Sequence, residues 1–347
     1  MTECAQVQQR PSEDSDMSGL LDGLYSLIDD VNQLSLQTKE NLTNIIHQTS
    51  SDDDISSDDS EAEDEVTQQQ ETMEDLQNEM SQLEISEEAS TLETLILIVE
   101  HYAKAGDTDG FQKNVRRPDL WLMTLPRPKV SDITRMADNL VGQNFPFRAA
   151  LMYKCACTLY KYEYVHYPSA DEVGSDTIIP NVALRGIEEC MKNVLKIMLS
   201  IFEKDEYEIY FPHFVPIAYD MLTNLREIHH TDRKLKADIE MWGMLYIAVM
   251  HGKLKQVTEM HDVADTVVET ILRRFKSKAR RRSVYGIGLL ALSTSQCLQN
   301  KRSEGSESSG EAIKSLQDAE DFPTWDDKVR IVEKAGKYFE DIEKLNA

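Results

Sequence analysis

Cysteine, histidine and carboxylate side chains are the residues that could do chemistry in this chain of 347 residues. Cys155 and Cys157 are two positions apart on a predicted helix and therefore face different directions, which suits neither metal binding nor a disulfide. His229 and His230 lie beside Asp232, but no third metal ligand stands at a workable spacing. The sequence contains neither a phosphate-binding glycine motif nor the HExxH zinc motif. We therefore expect a protein that is not an enzyme and that uses no cofactor or metal.

The strongest local concentration of positive charge is the basic run at residues 273–282, where seven of ten residues are lysine or arginine. Four interpretations stay open: a solvated helix end, a docking site for a protein such as a nuclear-import receptor, a contact with an anionic membrane, and a site that the chain's own acidic residues mask. Arg280, Arg281 and Arg282 are the candidate partner-binding residues of this run. We expect no direct binding of nucleic acid, because the net charge of −25 repels phosphate.

Acidic residues are concentrated in the first quarter of the chain. Residues 1–92 contain 24 aspartates and glutamates against two basic residues, and they account for 22 of the 25 net negative charges. The other 255 residues contain 38 acidic and 35 basic residues, and their apolar residues recur at helical spacing. Because a segment of one charge repels itself and buries little apolar surface, we expect residues 1–89 to be an acidic, mostly disordered arm in front of a folded domain.

Two segments of the arm, 17–36 and 66–85, carry apolar residues three and four positions apart, as one face of an amphipathic helix requires. This pattern is compatible with docking on a partner, with a leucine-rich nuclear export signal, or with packing on the chain's own domain. The candidate partner-binding residues are Leu24, Leu27, Val31 and Leu34 in the first segment and Leu76, Met80 and Leu83 in the second.

Four serines stand in contexts that resemble protein-kinase sites. Ser51, Ser56 and Ser60 each precede an acidic residue by three positions, as acidophilic kinases prefer, and Ser283 directly follows the basic run. A phosphate adds about 1.5–2 negative charges. Phosphorylation of the first three serines would strengthen the hold of the arm on a basic partner, whereas a phosphate on Ser283 would weaken the basic run.

Helical patterns fill the rest of the chain, and strand signals are short and unpaired. A capping box at Ser90 to Glu93 predicts the first helix of the folded domain, and a breaker-rich connector follows Gly106. The later helices are predicted at about 131–143, 146–164, 180–204, 214–229, 232–252, 256–279 and 283–299. We expect an all-α fold, either a multi-helix bundle or a short helical-repeat domain, over residues 90–300. Residues 301–312 are predicted to be a linker, and residues 313–347 a C-terminal helix that docks on the domain.

The stretch Ile133 to Ala156 resembles one tetratricopeptide unit, in which two antiparallel helices meet through small residues. The residues that match the second helix of that family are Ala149, Tyr153 and Ala156. Ala137 stands where the family usually has glycine, the first-position tryptophan is missing, and Lys161 replaces the terminal proline. The resemblance implies packing of helical hairpins, without transferring the family's peptide-binding groove.

Composition and motifs together favour a binding protein. Five cysteines at irregular spacing fit a reducing compartment, and the sequence lacks both a secretory signal at its N-terminus and an apolar run of about 18 residues. We expect a cytoplasmic or nuclear adaptor or scaffold that binds protein partners, some of them basic, through the helical domain and a phosphorylated arm. The alternatives are a nuclear regulator or chaperone-like binder of basic proteins that shuttles between nucleus and cytoplasm, and an unrecognised helical enzyme.

Overall fold

The computed structural model describes residues 19–31, 33–34, 92–123, 128–165, 179–202, 204–228, 233–275, 283–322 and 324–346. These residues are predominantly helical and include no β-strand, which confirms the all-α prediction. The helices are α1 (residues 19–34, with residue 32 outside the description), α2 (Leu92–Lys104), α3 (Thr108–Asn114), α4 (Arg117–Met123), α5 (Val130–Gly142), α6 (Pro146–Val165), α7 (Ile179–Ile201), a 3-10 helix (Asp205–Tyr210), α8 (Phe211–Glu227), α9 (Arg233–Lys253), α10 (Val257–Phe275), α11 (Ser283–Leu298), α12 (Arg302–Asp318) and α13 (Trp325–Asn346).

Helices that follow one another in sequence pack side by side from α5 to α13. Contacts two steps apart, between α6 and α8, α7 and α9, and α9 and α11, join these neighbours into one continuous core. Helix α2 packs on α3, α4 and α6 and on the 3-10 helix. The predicted helices between residues 131 and 299 correspond to α5 through α11.

Three helices form the interior of the domain. In α11 every residue from Ser283 to Gln296 is buried, because its sequence contains no charged side chain. Helices α6 and α9 are also buried over most of their surface. A helix that is apolar on all sides has to lie inside a protein, whereas α10 and α13 bury one stripe each. None of the described helices is both long enough and apolar enough to span a lipid bilayer.

Four helix connections use the same backbone turn, in which the second residue after the helix adopts a left-handed conformation. The four residues are Gly106, Asn144, Lys255 and Asn300, with φ between 58° and 66°. The next backbone N–H donates to the carbonyl five residues earlier, as in a Schellman motif; these bonds are Asp107 to Tyr102 (3.1 Å), Phe145 to Leu140 (2.8 Å), Gln256 to His251 (2.9 Å) and Lys301 to Gln296 (2.8 Å). These turns reverse the chain within a few residues, so that neighbouring helices can pack.

Two segments that composition indicated as irregular are helical. The prediction of a linker at residues 301–312 is wrong, because α12 begins at Arg302. Its buried residues include Gly305, Ser309 and Ala312, which are small rather than hydrophobic. These small residues let α12 approach α11 closely, and Gly286 of α11 lies directly against Ala312 and Leu316. The connector predicted after Gly106 likewise contains the short helices α3 and α4.

We expect Gly305→Ala to destabilise the domain by about 1–3 kcal/mol, because the new methyl group would overlap its neighbours. A Cβ at residue 305 would stand 2.4 Å from Cys297 Sγ and 3.1 Å from the carbonyl oxygen of Ser293. The matched control is Gly310→Ala on the same helix, where a Cβ meets nothing within 4 Å. This control should stabilise α12 by about 1 kcal/mol, because alanine favours a helix over glycine. Urea unfolding measures the change in the free energy of unfolding for each variant. A change of the same sign and size in both variants would contradict the close packing of α11 and α12.

Candidate functional site

Helix α1 lies against α7, α9 and α13 and is part of the protein core. Its buried apolar residues are Leu20, Leu21, Leu24, Leu27, Ile28, Val31 and Leu34, and none of them is more than 6% exposed. We call the surface that α1 covers the α1 groove and define it by Lys192 of α7, Gly252 and Lys253 of α9, and Lys334 and Tyr338 of α13.

The position of α1 corrects two expectations. Residues 1–89 are not an arm throughout, because residues 19–34 belong to the folded domain. Leu24, Leu27, Val31 and Leu34 were interpreted as partner-binding residues, but in this structure they face the chain's own core. Of the alternatives that the sequence leaves open, packing on the chain's own domain describes this segment. The physical reason is that the same apolar stripe buries itself on whichever complementary surface is nearest, and the α1 groove belongs to the same molecule.

Among the described residues, three aspartates of α1 pair with lysines from three different helices. Asp29 Oδ1 lies 2.9 Å from Lys192 Nζ, and Asp22 Oδ1 lies 2.8 Å from Lys253 Nζ. The third pair is Asp30 with Lys334. The Asp22 side chain is 55% exposed, so the pair with Lys253 lies partly in solvent. The side chains of Lys192 and Asp29 are only 6% and 21% exposed, so this pair is largely buried. Breaking such a buried pair by removing one partner costs about 3–5 kcal/mol.

Close contacts at two glycines, Gly252 and Gly23, determine how closely α1 approaches α9 and α13. The side chain of Leu21 lies beside Gly252, where even a methyl group would come within 2.7 Å of it. The ring of Tyr338 lies beside Gly23 of α1. Lys253 also places its ammonium 5.3 Å from the ring centroid of Phe202, a favourable cation–π distance. Charge and shape therefore both define the groove.

The hydroxyl group of Tyr25 conflicts with its environment in α1. Its hydroxyl is buried and has no hydrogen-bond partner among the described residues. Burial, together with the carboxylates of Asp29 and Glu189, raises the pKa of this phenol. The hydroxyl therefore stays neutral, and no described residue accepts a hydrogen bond from it. An unsatisfied buried group of this kind costs about 1–3 kcal/mol.

A second ionic centre, which the sequence reasoning missed, lies between α4, α6 and α8. Lys154 of α6 is 1% exposed; its ammonium pairs with Asp119, lies 2.9 Å from Asp220 and donates to the carbonyl of Val115 at 3.2 Å. Burial lowers the pKa of Lys154, but the two carboxylates outweigh it and the net direction is upward. The lysine therefore stays charged and fastens three helices together. Its position in the apolar run of α6 is the signal that could have identified it.

The cysteine and histidine side chains that could be chemically reactive lie in environments that favour a structural role. Cys155 and Cys157 are buried, and burial raises the pKa of both thiols, so the nucleophilic thiolate is disfavoured. The ring of His251 contacts the Tyr219 hydroxyl at 3.3 Å and the amide oxygen of Gln256 at 2.8 Å. In the part of the chain that the structure describes, no group of three His, Cys, Asp or Glu side chains could hold a metal ion.

Ser283, a predicted phosphorylation site, has a structural role instead. It is buried at the start of α11, and its backbone N–H donates to both carboxylate oxygens of Asp321 at 3.0 and 3.1 Å. Its hydroxyl donates to the same carboxylate at 3.1 Å. A phosphate here would be buried beside a negative charge, so the structure contradicts the predicted modification of this serine.

The remaining candidate residues lie outside the described residues. They are Leu76, Met80 and Leu83 of the second amphipathic segment, Ser51, Ser56 and Ser60 of the arm, and Arg280, Arg281 and Arg282 of the basic run. Their roles stay predictions. His229, His230 and Asp232 lie outside the description as well.

Comparisons with known proteins assign no relative to this chain. No protein-family model matches it, and no significant match exists among curated proteins or among solved structures.

We expect Tyr25→Phe to stabilise the protein by about 1 kcal/mol, because it removes a buried hydroxyl that has no acceptor. In a domain of this size, that gain corresponds to a rise in the melting temperature of about 2–4 °C. The matched control is Tyr210→Phe, since the buried Tyr210 hydroxyl donates to Glu100 Oε1 at 3.0 Å. The control should lower the melting temperature. A loss of stability in both variants would show that the Tyr25 hydroxyl is satisfied.

Proposed function

We propose that this chain is a non-enzymatic adaptor that holds one protein partner on its helical domain and recruits a second through its acidic segment. The observation that carries the proposal is the seating of α1 in the α1 groove. An amphipathic helix in an apolar groove is a recurrent mode of protein recognition. The helical domain is therefore built to bind a helix, and α1 is the example that the chain itself supplies.

The acidic segment between α1 and α2 is the second binding element of this proposal. Residues 35–91 contain 17 aspartates and glutamates and only one basic residue, Lys39. Both flanking residues, Leu34 and Leu92, are buried in the core, so this segment is anchored to the domain at its two ends. It presents negative charge to a basic partner, and phosphates on Ser51, Ser56 and Ser60 would increase that charge.

The remaining parts of the proposal concern location and ancestry. Cys155, Cys157, Cys190 and Cys297 carry free thiols, which supports a reducing compartment such as the cytoplasm or the nucleus.

The antiparallel pair α5 and α6 contains the stretch that resembles a tetratricopeptide unit, and Ala137, Ala149 and Ala156 are fully buried in it. We propose that this pair is a diverged unit of that kind. It would then contribute a packing scaffold rather than a ligand site.

Co-purification of the full chain tests the proposed function. One variant changes Asp52, Asp53, Asp54, Asp58 and Asp59 to Asn, which removes charge from the acidic segment and leaves α1 in place. Proteins that co-purify with each chain are quantified by mass spectrometry at low and high salt. We expect the neutralised chain to lose the basic partner by about tenfold, and high salt to weaken that partner's binding to the native chain.

The control for this experiment is a chain in which the order of residues 51–65 is scrambled and their composition is kept. Retention of the partner by the scrambled chain would show that charge, rather than a specific motif, carries the contact. Absence of any specific partner from the native and neutralised chains at both salt concentrations would contradict the adaptor function.

A further inference from the structure

We propose that the α1 groove is the binding site for an acidic amphipathic helix of a partner protein, and that α1 is a replaceable occupant that covers it in the resting chain. This inference rests on the proposed function and specifies its partner. The partner helix needs apolar residues at the spacing of α1 and carboxylates at the places of Asp22, Asp29 and Asp30.

The chemistry of the groove defines that partner. Lys192 and Lys253 lie at its base and Lys334 at its more exposed rim, so that it offers three cations around an apolar floor. A neutral or basic helix would leave the buried ammonium of Lys192 without its carboxylate partner, at a large cost. The groove therefore selects for an acidic helix and rejects a basic one.

Helix α1 carries features that weaken it as an occupant. The unsatisfied Tyr25 hydroxyl is the first of them. Gly19 and Gly23 are the second, because a glycine in the interior of a helix, such as Gly23, costs about 1 kcal/mol relative to alanine, and a glycine at the helix start, such as Gly19, costs less. A Cβ at Gly19 would meet nothing within 4 Å, and a Cβ at Gly23 would reach the Tyr338 ring at an ordinary contact distance of 3.4 Å. Packing therefore requires neither glycine. A partner helix with alanines and a phenylalanine at these three places would fit the same groove more favourably.

The tether favours α1 over any separate helix that competes for the groove. Residues 35–91 connect α1 to α2 within one chain, so α1 is covalently tethered to the domain that carries the groove. A tether of this kind gives α1 an effective concentration that approaches the millimolar range. A partner helix then binds with an apparent dissociation constant raised by the small fraction of chains whose groove is open.

The test uses the full chain and a labelled synthetic peptide with the sequence of residues 17–36, changed by Gly19→Ala, Gly23→Ala and Tyr25→Phe. Fluorescence anisotropy measures peptide binding to the native chain and to two variants in which the docking of α1 is weakened. Asp30→Lys puts a positive charge beside Lys334, and Ser26→Pro interrupts α1 at an exposed position. We expect both variants to bind the peptide about tenfold more tightly than the native chain.

Two controls test whether the peptide binds at the α1 groove. Asp132→Lys reverses an exposed charge on α5, away from the α1 groove, and should leave peptide binding unchanged. Lys334→Glu should bind a peptide that carries Asp30→Lys more tightly than a peptide that keeps Asp30. This exchange of preference also shows that the variant is folded, because a misfolded chain would bind neither peptide selectively.

Two results would overturn the proposal. The first is equal peptide binding by the native, Asp30→Lys and Ser26→Pro chains. The second is a concentration-dependent dimer of the native chain that Asp30→Lys abolishes, which would assign the groove to α1 of a second copy. Failure of either kind, while protein partners still co-purify with the native chain, would leave the adaptor function standing and reject only this site. Failure of co-purification with intact peptide binding would do the reverse.

Discussion

Buried lysines that need a counter-charge are the constraint on which the arrangement of this protein depends. Lys192 and Lys253 lie on helices of the domain, yet their carboxylate partners, Asp29 and Asp22, are supplied by α1, far away in sequence. A charge removed from water without a partner is costly, so the buried ammonium of Lys192 depends on Asp29 of α1 for its counter-charge. Lys154 imposes the same requirement between α4, α6 and α8, where Asp119 and Asp220 supply its counter-charge.

Because of this pairing, the acidic segment between α1 and α2 is attached to the domain at both ends rather than at one end only. Helix α1 is anchored between α7, α9 and α13, and α2 begins at the buried residue Leu92. The most acidic part of the sequence is therefore held at both ends by the domain. Closing a loop of this length costs only a few kcal/mol of entropy, which the burial of the apolar face of α1 can offset.

Local patterns were sufficient to predict most of the fold. The helices from α5 to α11 show regular apolar spacing, and Gly106, Asn144 and Asn300 end their helices with residues that tolerate a left-handed turn. The first part of α12 escaped prediction because its buried residues, Gly305, Ser309 and Ala312, contribute close approach rather than hydrophobicity. The apolar face of α1 is evident from the spacing of its residues, but the groove in which it docks cannot be predicted from that spacing. Pairings such as Asp30 with Lys334 join distant parts of the chain and leave no trace in local spacing.

Hydrogen exchange measured by mass spectrometry on residues 19–34 of the native chain tests most directly whether α1 belongs to the folded domain. If α1 is docked on the domain, we expect these amides to exchange at least about a hundredfold more slowly than the same sequence in an unstructured peptide. We also expect them to exchange faster than the amides of the interior helix α11. Intermediate protection would reflect docking that is stable but reversible. Exchange at the rate of the unstructured peptide, with α9 and α13 still protected, would contradict the account.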